Sequence, residues 1–161
     1  MMNSIQKVFD TYQIPYHLYE HPPVFTVEEA KNLVFDEEIL EIKNLFLRNK
    51  KKSAYYLFSL REDTIISLEK LAIMTDEKKL SFASKEDLWA ELKVTPGAVS
   101  ILNVANDRNK MIYYYVEKAI TTHPAVAFHP NRNDQTFVFH GEYLEKLMNH
   151  YQIKQFYLFE S

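Results

Sequence analysis

The hydrophobic residues in the first part of the chain change from helical to strand spacing. Apolar side chains recur every three or four positions at the start, which predicts a short amphipathic helix. The apolar face of that helix would consist of Ile5, Val8, Phe9 and Tyr12. Residues 14–20 then alternate apolar and polar side chains until Pro22 and Pro23, which predicts a strand. Thr26 and Glu29 form a capping-box pattern, so a second helix is expected from there.

Two apolar runs joined by a basic segment predict a β-hairpin in the middle of the chain. Residues 43–49 and 54–60 are rich in Leu, Phe and Tyr and would form two largely buried strands. Further along, Ser84 precedes Asp87 by three positions, which is the pattern of a capped helix start. The other elements expected here are a strand over 64–67, a helix over 68–75, a strand over 80–84 and a helix over 85–92.

The last part of the chain interleaves further strands and helices. The expected order is a turn at 95–100 leading into a strand that ends near 107, a β-rich run over 110–120, strands over 125–130 and 135–140, a helix over 142–151 and a closing strand over 154–161. Because several neighbouring strands form hairpins, the sheet should be mixed, with helices packed around it. The predicted fold class is therefore α/β in the mixed α+β sense, and residues 1–161 are expected to form a single domain.

The composition is that of a globular protein without reactive sulfur. Of the 161 residues, 47% are hydrophobic and 25% are charged, which is typical of a folded domain. There is no cysteine, which excludes disulfides, a thiolate nucleophile and cysteine metal ligands. No segment reaches the roughly 18 apolar residues of a membrane span, so no membrane association and a cytoplasmic location are expected.

The chain is acidic overall but contains one local cluster of cations. A net charge of −3 argues against non-specific coating of nucleic acid, because phosphate affinity comes from clustered cations. A local patch could still contact a few phosphates, or it could be an exposed turn. The main cluster consists of Lys43, Arg48, Lys50, Lys51 and Lys52, and a weaker one of Lys78 and Lys79.

The sequence lacks the familiar catalytic signatures. It has no Gly-rich phosphate loop, no H-E-x-x-H and no G-x-S-x-G. The 6 histidines are scattered without ligand spacing. His123 and His129 are too far apart in sequence for a tight turn and do not share one helical face. Neither a metal site nor a cofactor is therefore expected.

Two unusual segments remain as candidates for a site. The chain has only 2 glycines, and Pro96–Gly97 fits the central positions of a type II turn, in which glycine supplies the positive φ. A glycine turn can also direct successive N–H groups into one concavity that binds an oxyanion or a sugar hydroxyl. In the second segment, residues 129–133, Pro130 restricts the backbone of His129, so this segment is either a turn or one wall of a small pocket.

Six segments, in this order, resemble the YbaK/ProX family. They are EHPPVFTVEEA, KNLFL, LSFASKEDL, VTPGAVS, the ND after the next predicted strand, and FHPNRN, and they cover about residues 14–147. The family consists of trans-editing aminoacyl-tRNA deacylases similar to the editing domain inserted in bacterial prolyl-tRNA synthetase. The resemblance implies a twisted mixed sheet or partial barrel surrounded by helices. The ProX branch, which hydrolyses alanyl-tRNA(Pro), looks closest because of KNLFL and FHPNRN.

The resemblance also implies roles for individual residues. Lys43 would supply charge near the ester or terminal phosphate, and the amides from Gly97 to Ser100 would hold the sugar hydroxyl or the oxyanion. No covalent nucleophile is required, because the family is thought to use the 2′-hydroxyl of the terminal adenosine to organise the attacking water. A site that admits alanine but excludes the prolyl ring would complete a double sieve, with His129 in its wall. The implied residues are catalytic Lys43, Gly97 and Ala98; substrate-binding Asn44, Phe46, Val99, Ser100 and His129; and tRNA-binding Arg48, Lys50, Lys51 and Lys52.

The chain departs from the family pattern at Ile101 and in residues 35–42, where the family commonly has small, polar residues, and the first departure leaves alternatives open. The family's glycine loop reads G-x-x-x-P, but Ile101 stands where proline is usual, which is expected to alter loop stiffness rather than remove the site. The alternatives are a deacylase for cysteinyl-tRNA(Pro), or a binding or regulatory module that keeps the fold without hydrolysis. The expected partner is the acceptor end of mischarged tRNA, with prolyl-tRNA synthetase as a further candidate. The chain would be a monomer or a weak homodimer.

Overall fold

The computed structural model of the chain describes residues 4–26, 28–29, 32–35 and 37–161. Within these residues the helices are α1 (Ser4–Thr11), α2 (Leu68–Met74), α3 (Lys85–Leu92), α4 (Lys118–Thr121) and α5 (Leu144–His150). The strands are β1 (Tyr16–Glu20), β2 (Ile42–Asn49), β3 (Tyr55–Arg61), β4 (Leu80–Phe82), β5 (Tyr113–Glu117), β6 (Val126–Phe128), β7 (Gln135–Phe139) and β8 (Phe156–Phe159). Short 3-10 helices span Pro96–Ala98, Ile101–Asn106 and Gly141–Tyr143.

Five strands form a mixed sheet in the order β4-β2-β3-β5-β8. The predicted hairpin of β2 and β3 is confirmed, and β4 also pairs with β2 in antiparallel orientation. The pairs β3-β5 and β5-β8 are parallel, which makes the sheet mixed as expected. Asn49 closes the hairpin turn, because its side-chain oxygen accepts the amides of Ser53 at 2.9 Å and Ala54 at 3.2 Å.

Three further strands form a separate antiparallel sheet in the order β1-β7-β6. An isolated bridge between Leu40 and Val126 connects the segment before β2 to this sheet. The mixed α/β fold class is confirmed, but the strands are divided between two sheets rather than gathered in one.

The main hydrophobic core contains side chains from both sheets and from α1, α3 and α5. Phe9 of α1 is fully buried, and its ring meets those of Phe137 and Phe139 edge-on with centroids 5.3 and 5.0 Å apart. Such edge-to-face pairs stabilise a core beyond the area that they bury. A second core lies on the other face of the five-stranded sheet, where α2 packs against β2 and β3. Successive residues of a strand therefore point into different cores.

The helix starts expected from capping patterns are confirmed where the structure describes them. The Ser84 hydroxyl accepts the Asp87 amide at 3.0 Å, and the Asp87 carboxylate accepts the Ser84 amide at 3.3 Å. The Thr26 hydroxyl accepts the Glu29 amide at 3.1 Å, whereas the Glu29 carboxylate accepts the Phe25 amide at 3.0 Å. The remainder of that expected helix includes residues outside the described ranges.

Two predicted strands are wrong. Residues 64–67 form an irregular connection in which Ile65 is 99% exposed, so the apolar run there does not mark a buried strand. Residues 101–106 form a 3-10 helix instead of a strand. Ser100 caps that helix, because its hydroxyl accepts the Leu102 amide at 3.0 Å and its own amide donates to the Asn103 side chain at 2.7 Å. This local side-chain competition with extended structure explains the difference.

A buried carboxylate fixes the connection after β3. Glu117, at the end of β5, pairs with the Arg61 guanidinium at 3.0 Å and accepts the Thr64 hydroxyl at 2.8 Å. The Ser161 hydroxyl also donates to it. Burial alone would raise the pKa of Glu117, but these hydrogen bonds outweigh burial and lower the pKa to about 2.

We expect Glu117→Gln to lower the free energy of unfolding at pH 7 by roughly 2–4 kcal/mol, because a buried ion pair loses its charge. The carboxylate is more acidic folded than unfolded, so its stabilisation is present above its ordinary pKa of 4.5 and is lost as the pH falls toward about 2. When the free energy of unfolding is measured in urea at several pH values, it should therefore decrease less steeply below pH 4.5 for the variant than for the wild type. Glu160→Gln, at a side chain 78% exposed, is the control and should change little. An equally steep decrease of the free energy of unfolding in the variant and the wild type would contradict this account.

Candidate functional site

Gly97 is required by a close backbone approach rather than by a type II turn. None of the glycines has a positive φ, and Pro96–Ala98 is a 3-10 helix, so the expected turn is wrong. A Cβ atom on Gly97 would lie 2.1 Å from the carbonyl oxygen of Val24 and 3.0 Å from the Cα of Phe25. The absence of a side chain at Gly97 therefore allows residues 24–25 to pack directly onto the loop.

Most amides of this loop already have acceptors. Ala98 donates to the Thr95 carbonyl at 2.9 Å, and Val99 to the Pro96 carbonyl at 3.5 Å. The Ser100 amide donates to the Asn103 side chain at 2.7 Å. The Gly97 amide takes part in none of these bonds, so it is the amide of the loop that we consider for binding a ligand.

Asn103 connects the glycine loop to the segment that follows His129. Its side chain is fully buried, and its amide nitrogen donates to the Ala98 carbonyl at 3.1 Å and to the Asn131 side chain at 2.8 Å. Asn131 adopts a positive φ of 64°, a conformation that asparagine tolerates better than most residues. Sequence reasoning missed Asn103, although its position three residues after Ser100 is a capping pattern that could have indicated it.

Residues 21–25 join these two loops into one assembly. The His21 amide donates to the Asp134 carbonyl at 3.0 Å, and the Val24 amide to the Asn133 carbonyl at 2.9 Å. The two segments that suggested a site from sequence, residues 95–100 and 129–133, are therefore both in contact with residues 21–25.

His129 lines a small cleft between strands β6 and β7 and the segment that leads into β2. The cleft has a volume of about 90 Å³. Its apolar walls are Leu33, Phe35, Ile39, Ile42, Ala127 and Phe128, and its polar lining is Glu41, Glu62, His129 and Thr136. A space of this size exceeds the roughly 30 Å³ of one water molecule and is smaller than the engineered cavity of about 150 Å³ that binds benzene.

The ring of His129 is neutral in this environment. Burial lowers its pKa, and the neighbouring His21 lowers it further, while a hydrogen bond to Gln135 opposes the shift. Nδ1 lies 2.9 Å from the Gln135 carbonyl oxygen, which can only accept, so Nδ1 carries the proton and Nε2 does not. His21 and Thr136, which sequence reasoning also missed, share a hydrogen bond of 2.9 Å beside this ring.

Lys43 and Asn44 point to opposite faces of the five-stranded sheet, because they are consecutive in β2. The Lys43 ammonium donates to the Thr64 carbonyl at 2.6 Å. Thr64 lies two residues beyond Glu62, and Ile42 precedes Lys43, so two lining residues of the His129 cleft are close to Lys43 in the chain. Lys43 itself does not line the cleft, since its side chain leaves the face of β2 opposite to that of Ile42. Within the described residues, its ammonium is held by the Thr64 carbonyl and makes no hydrogen bond or ion pair with the glycine loop.

The other expected substrate-binding residues have structural partners. Asn44 accepts the Ser59 hydroxyl at 2.8 Å on the face of β2 that contributes to the main core. Phe46 belongs to that core and stacks on Tyr55 with centroids 5.4 Å apart. Val99 packs against the same core. Ile101 is also buried there and occupies the first position of its 3-10 helix, where proline is equally acceptable.

The two basic segments of the sequence form one surface. The register of β2 and β4 aligns Asn49 with Leu80, which brings the residue after Asn49 beside the residue before Leu80. These flanking residues are Lys50 and Lys79. Lys52 reaches α3 and lies 3.5 Å from Asp87. The basic surface therefore comprises Arg48, Lys50, Lys51, Lys52, Lys78 and Lys79.

Comparison with known proteins identifies the family. The aminoacyl-tRNA editing domain matches residues 21–147, which include the cleft, the glycine loop and the basic surface. The chain belongs to this family. It is a deacylase that hydrolyses the ester bond of aminoacyl-tRNA, as the resemblance implied. No helix in the described part of the chain is long and apolar enough to cross a membrane.

Individual relatives support this assignment. The prolyl-tRNA editing protein ProX of Acetoanaerobium sticklandii is 39% identical over 139 residues, covering 86% of this chain and 85% of the relative. The prolyl-tRNA synthetase associated domain-containing protein 1 of Bos taurus is 34% identical over 121 residues, covering 73% and 70%. A crystal structure of a candidate trans-editing enzyme for prolyl tRNA synthetase superposes with a TM-score of 0.68 at 18% identity, covering 92% of this chain and 94% of that one. This last likeness confirms the fold.

We expect Gly97→Ala to lower the free energy of unfolding by about 1–3 kcal/mol and to impair deacylation, because its Cβ forces the Val24 backbone away from the loop. Thermal unfolding and a deacylation assay measure the two effects. Thr95→Ala is the control in the same loop, since the Thr95 side chain makes no capping bond there. An unchanged melting temperature for Gly97→Ala would show that the close approach is unimportant.

Proposed function

We propose that the protein hydrolyses alanyl-tRNA(Pro) in trans, as a proofreading step of translation. The observation that carries this proposal is the small cleft beside His129, in a member of the editing family. A synthetase site built for proline cannot exclude alanine strongly, because a missing methylene is worth only about 1–3 kcal/mol. A second site that accepts only the smaller side chain supplies the missing selectivity, and a volume of about 90 Å³ suits that task.

The chemistry in this proposal depends on positioning and charge. The 2′-hydroxyl of the terminal adenosine orients the water that attacks the ester carbonyl, so no nucleophilic side chain is required. Lys43 supplies positive charge toward the ester or the terminal phosphate after leaving its bond with the Thr64 carbonyl. The Gly97 amide binds the oxyanion or the sugar hydroxyl. Ala98 and Ser100 contribute by fixing the loop, because their own amides are already engaged.

The substrate-binding roles divide between the cleft and the core behind it. His129 forms part of the wall that limits the size of the aminoacyl group, and its neutral ring imposes no charge on that group. Asn44, Phe46 and Val99 would act from the core side by supporting the elements that shape the site.

The proposed macromolecular partner is the acceptor end of mischarged tRNA. The phosphates of the tRNA would be contacted by Arg48, Lys50, Lys51 and Lys52. Their clustered positive charge is what phosphate binding requires. The name of the Bos taurus relative makes prolyl-tRNA synthetase a candidate partner as well. A role in translation is in keeping with the cytoplasmic location expected from the sequence.

A panel of mischarged tRNAs tests the substrate and the role of Lys43 together. Alanyl-, cysteinyl- and prolyl-tRNA(Pro) are incubated with the wild type, and loss of the ester is measured. We expect alanyl-tRNA(Pro) to be hydrolysed fastest and Lys43→Met to lower that rate by roughly 100-fold or more, because a charge near the reacting ester is lost. The melting temperature should fall only slightly, since one hydrogen bond to the Thr64 carbonyl is removed.

The matched control for this experiment is Lys118→Met, at a lysine 59% exposed and paired with Glu160. It should keep full activity. Fastest hydrolysis of cysteinyl-tRNA(Pro) would replace the proposed substrate, and a wild-type rate for Lys43→Met would remove Lys43 from the mechanism.

His129→Ala should change substrate ranking more than rate. Removal of the ring enlarges the cleft, so the variant should gain hydrolysis of prolyl-tRNA(Pro) while keeping part of its activity on alanyl-tRNA(Pro). The ratio of the two rates is the measurement. The hydrogen bond between His129 and the Gln135 carbonyl will also be lost, so some decrease in stability is expected. If the ratio of prolyl to alanyl ester hydrolysis is unchanged and the melting temperature is lower, His129 stabilises the fold and does not limit the size of the aminoacyl group.

A further inference from the structure

Trp89 is the only tryptophan of the chain, and it stands on the surface. Its side chain lies on α3 and is 56% exposed, although a large aromatic ring is usually placed where it can be buried. Neighbouring side chains do not cover it. The Trp89 side chain lines two clefts that differ in polarity, and both clefts are also lined by Val94 and Thr95.

The first cleft is mainly apolar and the second is polar. The apolar cleft has a volume of about 390 Å³ and is completed by Lys85, Glu86 and Pro96. The polar cleft has a volume of about 250 Å³ and is completed by Lys93, Ala98 and residues 131–134. It is therefore adjacent to both loops that Asn103 connects.

The polar cleft is lined by charged and neutral hydrogen-bonding groups. Arg132 makes a bidentate pair with Asp134, and both hydrogen bonds are 2.8 Å long, so these two charges largely cancel. Lys93 adds a positive charge that interacts with Glu91 of α3, and Arg132 also interacts with Glu20. Side-chain amides of Asn131 and Asn133 add neutral donors and acceptors.

The helix that carries Trp89 also touches the basic surface. Lys52 lies 3.5 Å from Asp87 in the first turn of α3, and Lys85 begins the same helix. A helix of eight residues is about 12 Å long. Cations, an exposed aromatic ring and the glycine loop thus follow one another along α3 and the loop after it. This is the combination by which proteins bind single-stranded nucleic acid: positive charge for phosphates and an aromatic face for bases.

We propose that Trp89 is a stacking platform for an unpaired base at the 3′ end of tRNA. The paired stem lies on the basic surface, the single strand crosses Trp89 beside α3, and the terminal adenosine reaches the glycine loop. The polar cleft takes a sugar of the same strand, whose hydroxyls match the side-chain amides in its lining. This inference rests on the proposed tRNA substrate and assigns the path by which that substrate enters.

The test uses two uncharged RNA minihelices of the same paired sequence, one with an unpaired CCA 3′ end and one blunt. Because Trp89 is the only tryptophan among 11 tyrosines, emission excited at a wavelength that tyrosine does not absorb reports on this site alone, and the affinities of the variants are read from the anisotropy of labelled RNA. We expect the CCA minihelix to quench the emission and the blunt one to leave it nearly unchanged. Trp89→Ala should weaken binding of the CCA minihelix roughly ten-fold, which is the range of base–aromatic stacking, and Trp89→Phe should retain most of the affinity.

Two comparisons make the result specific. Tyr157→Ala removes another exposed aromatic ring, 43% exposed on β8 at the opposite edge of the sheet, and should bind both RNAs like the wild type. Replacement of Lys50, Lys51 and Lys52 by alanine should weaken both RNAs and flatten the salt dependence, because phosphate contacts do not depend on the overhang.

Equal binding of the CCA minihelix by Trp89→Ala and the wild type would overturn the proposal, as would equal quenching by the two RNAs. Ester hydrolysis is measured separately with alanyl-tRNA(Pro). A wild type that shows overhang-dependent quenching but hydrolyses no ester supports the platform and overturns the proposed function. A wild type that hydrolyses the ester while Trp89→Ala binds normally overturns the platform alone.

Discussion

The backbone contact between Val24 and Gly97 is the constraint on which the arrangement of the site depends. Any side chain at Gly97 would collide with the Val24 carbonyl, at 2.1 Å for its first carbon atom. This contact seats residues 21–25 on the glycine loop, and their amides in turn hold the segment after His129. The buried side chain of Asn103 also joins the glycine loop to this segment, through hydrogen bonds to the Ala98 carbonyl and the Asn131 side chain. Three loops that are far apart in sequence are therefore fixed by backbone contacts together with one buried side-chain amide.

Several of the elements that sequence reasoning predicted correctly are fixed by local interactions. The apolar spacing of α1, the β2-β3 hairpin and the Ser84 cap each depend on residues only a few positions apart. The prediction of a strand at 64–67 was wrong because Ile65 is apolar but faces solvent. Its exposure is set by tertiary structure, which the local pattern does not contain. The reason for Gly97 could not be found locally, since the atom that excludes a side chain there belongs to Val24.

For the candidate site, the sequence drew attention to individual residues but not to their surroundings. His129, Gly97 and Lys43 were singled out because histidine, a rare glycine and a strand-opening lysine are unusual where they occur. Their surroundings were not predictable. Asn103 and Thr136 have ordinary side chains, and they became relevant only because tertiary structure buries them beside those loops. The opposite orientation of Lys43 and Asn44 follows from the strand itself and could have been read from its alternation.

The cleft beside His129 has walls from two distant parts of the chain, and this affects how the molecule folds. One wall comes from residues 33, 35, 39, 41, 42 and 62, and the other from residues 127–129 and 136. The second wall is part of a sheet whose central pairing joins residues 16–20 to residues 135–139. Such long-range pairing forms later than local hairpins, because the entropy of closing the intervening loop opposes it. The cleft therefore exists only when residues near both ends of the chain have paired, whereas the β2-β3 hairpin that carries the basic turn is joined by residues close in sequence.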